Sequence, residues 1–386
     1  MNEEFLQFHR PYITNEEIDE VVDTIKSGWL SMGPKVIKFE EDFSSLIGCK
    51  NSVAVNSWTA AGHLALEALN LKAGDEVIVP TMTFPATAEI VCYFGAKPVI
   101  VDVDPLTLNI SLAEIEKAIT PKTKVIIPVH YAGQPCDMDE INEIAKVHNL
   151  KVVEDAAHAL PAEYKGKKIG TVSDITCFSF YATKTLATGE GGMLCTENDE
   201  IAERTKLMRM HGMDKNAWKR YTEACSWSYE VVAPGYKYNF TDIQASLGLA
   251  QLKKVNWMRE ERAKIAKVYD DAFGNDEFIR PLTIKEDRVS ALHLYPIRIQ
   301  HELLTISRNQ FIEEMRERGV GTGVHFIPVH HHRYYRDTFS LESKNYPVAE
   351  DAFHRLISIP LYPGMTENDI DKVISVIFDI TKTFKK

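Results

Sequence analysis

Lys184 ends the stretch Phe178-Ser179-Phe180-Tyr181-Ala182-Thr183-Lys184, just ahead of the turn Thr188-Gly189-Glu190-Gly191-Gly192. Upstream, the apolar pair Val152-Val153 runs into Glu154-Asp155-Ala156-Ala157-His158. A lysine drawn out of water among small and hydroxyl residues loses its proton more easily, and its neutral amine can then attack an aldehyde. An acid at the end of a strand can pair with a protonated ring nitrogen and keep that ring an electron sink. Together these are the two groups a pyridoxal phosphate (PLP) enzyme needs: a Schiff-base lysine and a pyridinium partner. Each has a plainer reading. A lone lysine is usually a solvated surface charge, and Asp155 could simply cap a helix over Ala156–Leu160. His158 could lie beside the cofactor ring or be a hydrogen-bonded core histidine.

Other stretches add weaker signals. Asn56-Ser57-Trp58-Thr59-Ala60-Ala61-Gly62 reads as a strand-to-helix turn whose free N–H groups could seat a phosphate. Phe84, after Thr83, could stack on a pyridine ring, but a core phenylalanine is the commoner case. His325 follows Gly323 inside an apolar stretch and suits a pocket. His330-His331-His332 invites a metal reading, which is set aside here: three consecutive histidines converge poorly on one ion, and no carboxylate or cysteine is suitably spaced. A polar surface loop and no bound metal are expected.

The elements that must position these residues follow from hydrophobic pattern. Strands are predicted over 51–56, 76–80, 98–102, 124–129 and 150–155. Helices are predicted at 60–69, 112–119 and 138–148. Val/Ile-rich strands alternating with helices predict an α/β fold with a mostly parallel central sheet, and functional groups at its strand carboxyl ends. A long helix is expected from Thr241 toward Val268. Beyond it come a strand over 293–299, a helix from Ser307 to Gly319, a strand from Val320 to Phe326 and a closing helix over 367–384. The chain is expected to divide into a large cofactor domain (1–255, with an N-terminal substrate segment) and a small α+β domain (256–386).

Composition bounds the function. The 386 residues are 45% hydrophobic and 26% charged, ample for a large core. A formal net charge of −11 argues against nucleic acid as a partner. No apolar run is long enough to span a membrane, and the acidic Met1–Phe5 start lacks a signal-peptide core. The scattered cysteines (Cys49, Cys92, Cys136, Cys177, Cys195, Cys225) form no CxxC pair, and Cys92 and Cys177 are expected as buried thiols, consistent with a cytoplasmic protein.

Taken together, these residues resemble the DegT/StrS family of sugar aminotransferases, PLP enzymes of fold type I. The resemblance runs from Phe8-His9-Arg10-Pro11 and Ser27-Gly28-Trp29-Leu30-Ser31-Met32-Gly33-Pro34 through Pro128–Gly133, Glu154–Ala159 and Phe178–Lys184. It ends with Pro234–Asp242 and Val324-His325-Phe326. It is especially close to members that aminate UDP-linked 4-keto pentoses, although Tyr181, Thr183, Thr188-Gly189 and Pro161 depart from their pattern. The resemblance implies that Lys184 carries the cofactor, Asp155 pairs with its ring nitrogen, His158 and Phe84 flank the ring, and Thr59, Ala60 and Ser179 hold the phosphate. It implies a homodimer with shared active sites, in which Asn239 reaches the neighbouring subunit's cofactor. It also places Trp29 and His325 at the sugar-nucleotide site. Lys237, Arg10 and Arg209 are candidate diphosphate donors, and Arg209 could instead meet the donor carboxylate. The implied reaction moves an amino group from glutamate, released as 2-oxoglutarate, to a nucleotide-linked 4-keto sugar. A 3-keto sugar or cyclitol acceptor is the alternative, and a non-catalytic PLP-binding regulator is the rival of a different class.

Overall fold

The computed structural model describes residues 5–214 and 229–386. The Met1–Glu4 start and Cys225 lie outside the described residues. Helices α1 (Asn15–Ser27) and α2 (Pro34–Ile47) precede an alternating run: β1 (Asn51–Val55), α3 (Trp58–Ala68), β2 (Glu76–Pro80), α4 (Ala86–Cys92), β3 (Lys97–Val101), α5 (Leu112–Ala118), β4 (Thr123–Ile126), α6 (Met138–Val147) and β5 (Lys151–Asp155). The short strands β6 (Glu163–Tyr164) and β7 (Lys167–Lys168) lead to β8 (Ile175–Ser179), β9 (Gly192–Thr196) and α7 (Asp199–Met208). After α8 (Asp242–Phe273) come β10 (Ile279–Pro281), β11 (Arg288–Val289), β12 (Tyr295–Ile299), α9 (Arg308–Glu317), α10 (Arg333–Phe339), α11 (Pro347–Arg355), β13 (Leu356–Ile359) and α12 (Glu367–Thr383).

The main sheet has the order β1-β9-β8-β5-β4-β2-β3. The pairings from β3 through β2, β4 and β5 to β8 are parallel, and β9 alone runs against its neighbours. This is the expected α/β sheet. Val77, Val79, Val125 and Val153 point into one apolar cluster, while Ile78, Ile126 and Val152 point into another. That two-sided burial is why these strands read as continuous Val/Ile runs. The antiparallel β9 was not foreseen, since its Gly191-Gly192 start reads as a turn. A Cβ on Gly192 would fall 2.4 Å from the Ser57 carbonyl oxygen, so only glycine lets this strand begin against the α3 turn.

A second core gathers around the sheet β10-β12-β13. There Tyr269 and Phe273 of α8 meet Phe311 of α9, Ile297, Ile357 and Ile377 of α12. Helix α8 runs unbroken past residue 255, so one rigid rod enters both cores. It starts with a capping box, Thr241 with Gln244, and α1, α9 and α12 start with the same device.

Two expectations need correction. Val320–Phe326 is not a strand: only isolated bridges form, Val320 to Leu6 and Gly323 to Ser358, so the segment is shared between two neighbours and turns toward the cavity described below. No helix follows Asp155, because Ala156–Leu160 is a series of turns, and helix capping is not the role of that acid. Cys177 is buried as expected, but Cys92 is only partly so. Among the described residues no helix is long and apolar enough to cross a membrane.

The start of α8 also anchors α2. Asp242 is buried and accepts backbone N–H bonds from Gly33 at 2.8 Å, Lys35 at 3.1 Å and Val36 at 3.0 Å. It therefore satisfies donors that the first turn of α2 cannot satisfy itself. Replacing Asp242 by Ala strands these donors and is expected to lower unfolding free energy by about 2–3 kcal/mol in urea titration. A variant with unchanged stability would show that water can take over the role.

Candidate active site

The carboxyl ends of β1, β2, β4, β5 and β8 open on one edge of the sheet, and Asp155 ends its central strand. Its backbone is bonded on both sides: Asp155 N donates to Pro128 O at 2.8 Å, and Ala156 N donates to Cys177 O at 2.9 Å. Its carboxylate accepts from Thr87 Oγ1 at 2.8 Å and from Ala157 N at 3.1 Å. Thr83 Oγ1 lies 2.7 Å from Thr87 Oγ1, extending the hydroxyl chain. Burial raises the pKa of Asp155, while these hydrogen bonds and the nearby Lys184 pull it back. Such a carboxylate gains most from a cation brought into its pocket.

Lys184 sits in the loop after β8, half-buried, its backbone N–H bonded to Tyr181 O at 2.9 Å. Loss of solvent around the ammonium lowers its pKa to about 8, with Asp155 opposing. The lysine is thus near the point of losing its proton at ordinary pH.

Neutral imidazoles surround this pair. His158 is buried, and desolvation followed by the charge of Lys184 holds its pKa well below the usual value. Its ring stacks on Phe326 at 5.6 Å and 21° and sits 4.4 Å from His293. Its Nδ1 has no hydrogen-bond partner. His325 is held at about 4 by burial and then by Lys184; its Nδ1 lies 2.9 Å from Ser358 Oγ, and the Tyr131 hydroxyl donates to its carbonyl. His9 is lowered to about 4 by burial and then by Arg262. His9, Tyr181, Thr183, His293, Gly323 and His325 line a cavity of about 300 Å³ beside the Lys184 loop.

The turn expected to seat a phosphate is formed. Ser57 caps α3, its Oγ accepting from Ala60 N at 3.1 Å. That bond occupies the Ala60 N–H and leaves the half-buried Thr59 as the freer donor of the turn. Ser179 ends β8. Asn239 is buried and bridges Val55 of its own chain, its amide donating to Phe240 O at 3.2 Å. The residues fit the cofactor: a buried acid for a ring nitrogen, a desolvated lysine for an aldehyde, and a helix start for a phosphate.

Phe84 is no core residue; it is 61% exposed at the site's mouth, edge-on to Phe326 at 6.4 Å. Trp29 and Lys237 are not brought to the cavity. The Trp29 indole donates to Met32 O at 3.1 Å within its own turn, and Lys237 and Arg10 are exposed. Arg209 is not free to meet a diphosphate or a substrate carboxylate: it is 2% exposed, and its guanidinium donates to Glu40 and to Ala54 O under the sheet edge. The histidine run also departs from expectation. His330 is buried, and Glu350, distant in sequence, supplies the carboxylate thought missing.

Sequence reasoning missed Thr83, Thr87 and His293. The spacing of Thr83 and Thr87, one helical turn apart just after a strand, was the available signal for the first two. His293 carried none, because it arrives through the close approach of residues 291–293 to Gly133, where a Cβ would meet His293 N at 3.1 Å.

Residues 11–378 match the DegT/DnrJ/EryC1/StrS aminotransferase family. The chain belongs to that family. It is 54% identical over 377 residues to the protein MJ1066 of Methanocaldococcus jannaschii, covering 98% of each chain. It is 47% identical over 379 residues to the spore coat polysaccharide biosynthesis protein SpsC of Bacillus subtilis, covering 98% of this chain and 97% of that one. Among solved structures it resembles Spr1654 of Streptococcus pneumoniae, described as a sugar aminotransferase, with a TM-score of 0.91, 35% identity and 98% of each chain covered. That protein has been solved in PLP and PMP forms. The family member described here is accordingly a PLP-dependent sugar aminotransferase of fold type I.

The lowered pKa of Lys184 makes a prediction for protein stripped of cofactor. The rate of PLP reloading should rise about tenfold per pH unit and level off near the lysine pKa of about 8. Stopped-flow absorbance checks this, and a rate still climbing toward the ordinary value of 10.5 would contradict it.

Proposed function

We propose that this enzyme moves an amino group from glutamate to C4 of a nucleotide-linked 4-keto sugar, a UDP sugar, in the making of an amino-sugar polymer. The observation that carries the reading is the union, on one sheet edge, of a lysine poised near neutrality with an enclosed aspartate, in a chain of this family. The relation to SpsC, named for polysaccharide biosynthesis, supports the polymer context. Position C4, the UDP group and glutamate rest on the resemblance of the Trp29 to His325 segments.

When bound, PLP supplies an electron sink that stabilises negative charge at the donor's Cα. The residues do the rest. Asp155, held by Thr87 and the Ala157 N–H, would keep the ring nitrogen protonated. Lys184 Nζ would take the proton from the donor's Cα and deliver it to the cofactor's C4′, and its lowered pKa suits it both to accept and to give that proton. His158, neutral and stacked on Phe326, offers a flat wall that adds no competing charge. Thr59 and Ser179 would hold the phosphate. Asp155→Ala is expected to lower turnover by about 10²–10³-fold.

A homodimer with shared sites completes this reading. Phe84, Tyr181 and Ile327 stay 61%, 46% and 48% exposed, an apolar rim suited to cover by a second subunit. A partner is also what would bring Asn239 to a neighbouring cofactor and Lys237 to a sugar-nucleotide site. Mixing Lys184→Ala chains with Asn239→Ala chains should then restore about a quarter of the activity, since half the dimers carry one intact site. No restoration in a refolded, verified mixture would return Asn239 to its own chain's site.

The acceptor is tested by incubating enzyme and glutamate with a panel of nucleotide-linked 3-keto and 4-keto sugars and locating the new amine by NMR. An amine at C4 of a UDP sugar is expected. An amine at C3, or turnover only with a cyclitol ketone, would remove the C4 assignment and leave the aminotransferase standing.

A further inference from the structure

Away from the cofactor site, two imidazoles and a carboxylate converge at the start of α11. Ligating atoms of His330, His331 and Glu350 all lie within 4.8 Å of one another. His330 Nε2 and His331 Nε2 stand 2.9 Å and 2.7 Å from the same oxygen, Glu350 Oε1. A third imidazole, His354, has its Nε2 3.7 Å from Glu350 Oε2. We propose that His330, His331 and Glu350 form a site for a divalent transition-metal ion of the zinc class, with His354 within reach as a fourth ligand.

The chemistry of the donors fits. Two or three neutral imidazoles with one carboxylate is a set that zinc takes in tetrahedral geometry, with metal–ligand bonds of about 2.0–2.2 Å and ligand atoms roughly 3.4 Å apart. The contacts of His330 and His331 with Glu350 Oε1, 2.9 and 2.7 Å, are hydrogen-bond lengths somewhat shorter than that separation, so an ion would enter by spreading the three side chains slightly. The side chains are also held from behind. His330 is enclosed, stacked on Tyr346 at 4.3 Å and 13°, and its Nδ1 lies 2.6 Å from Thr81 Oγ1. With Nδ1–H donating to that hydroxyl, the Nε2 lone pair faces the cluster, the outer contact that fixes the tautomer of a ligating histidine. His331 packs edge-on against Phe353 at 4.9 Å. Glu350 and His331 are partly open to solvent, so an ion has a way in.

A cation here is a clasp. It ties α11 to the turn at residues 329–331, and this turn is already tied to the end of β2 by Val329 N donating to Thr81 O at 2.8 Å. Thr81 stands two residues before Thr83 and three before Phe84, so the clasp steadies the loop at the mouth of the cofactor site.

The competing arrangement is a cluster held by two N–H bonds to Glu350 and no ion. Cofactor-loaded protein without a histidine tag, stripped with EDTA, separates the two by calorimetric titration with zinc chloride and by thermal unfolding with and without zinc. The expected result is one saturable site per chain and a raised unfolding midpoint. His331→Ala and Glu350→Gln, each shown to be folded by circular dichroism, should bind zinc at least tenfold more weakly. Absence of saturable binding, or affinity unchanged in both variants, would overturn the proposal in favour of the hydrogen-bonded cluster.

Discussion

Burying a carboxylate without a full-time cation is the constraint around which this chain is organised. Asp155 ends the central strand, out of water, its carboxylate held by Thr87 and the Ala157 N–H. Burial alone raises its pKa, so the isolated pocket disfavours the charge that chemistry on a protonated ring requires. A pyridinium brought to it would relieve that cost and would itself be kept protonated. The same dry surroundings bring Lys184 to about 8. One physical cause, exclusion of water, therefore prepares both the acid and the amine, in opposite directions.

The histidines extend the same logic. His9, His158, His293 and His325 are all driven toward the neutral form chiefly by desolvation. Four imidazolium charges beside Lys184 would repel both its own charge and the ring's. As neutral groups they give shape and hydrogen-bonding capacity without charge. The orphan nitrogens of His9, His158 and His293 are groups a bound cofactor or sugar could satisfy.

The parts of this arrangement that were legible from sequence are those set by local pattern. The strand ending at Asp155, the lysine loop after β8 and the Ser57 turn are each a short run followed by a polar or glycine break. The Val/Ile strands betrayed a two-sided sheet because burial on both faces leaves no alternation to read. Features made by long-range approach were not legible. Val320–Phe326 has a strand's composition, yet it is pulled between Leu6 and Ser358 and forms no ladder. Glu350 reaches His330 and His331 from another helix, so consecutive histidines looked unpartnered. Arg209 looked like an anion donor because nothing near it in sequence announces Glu40.

The central claim, that Lys184 carries the cofactor beside Asp155, is open to one direct measurement. Borohydride reduction of the yellow holoenzyme followed by peptide mapping reports which lysine holds the pyridoxyl group. The label is expected on the peptide containing Lys184 and is expected to be lost in Lys184→Ala. A label on any other lysine, at full occupancy in the unmodified protein, would contradict it.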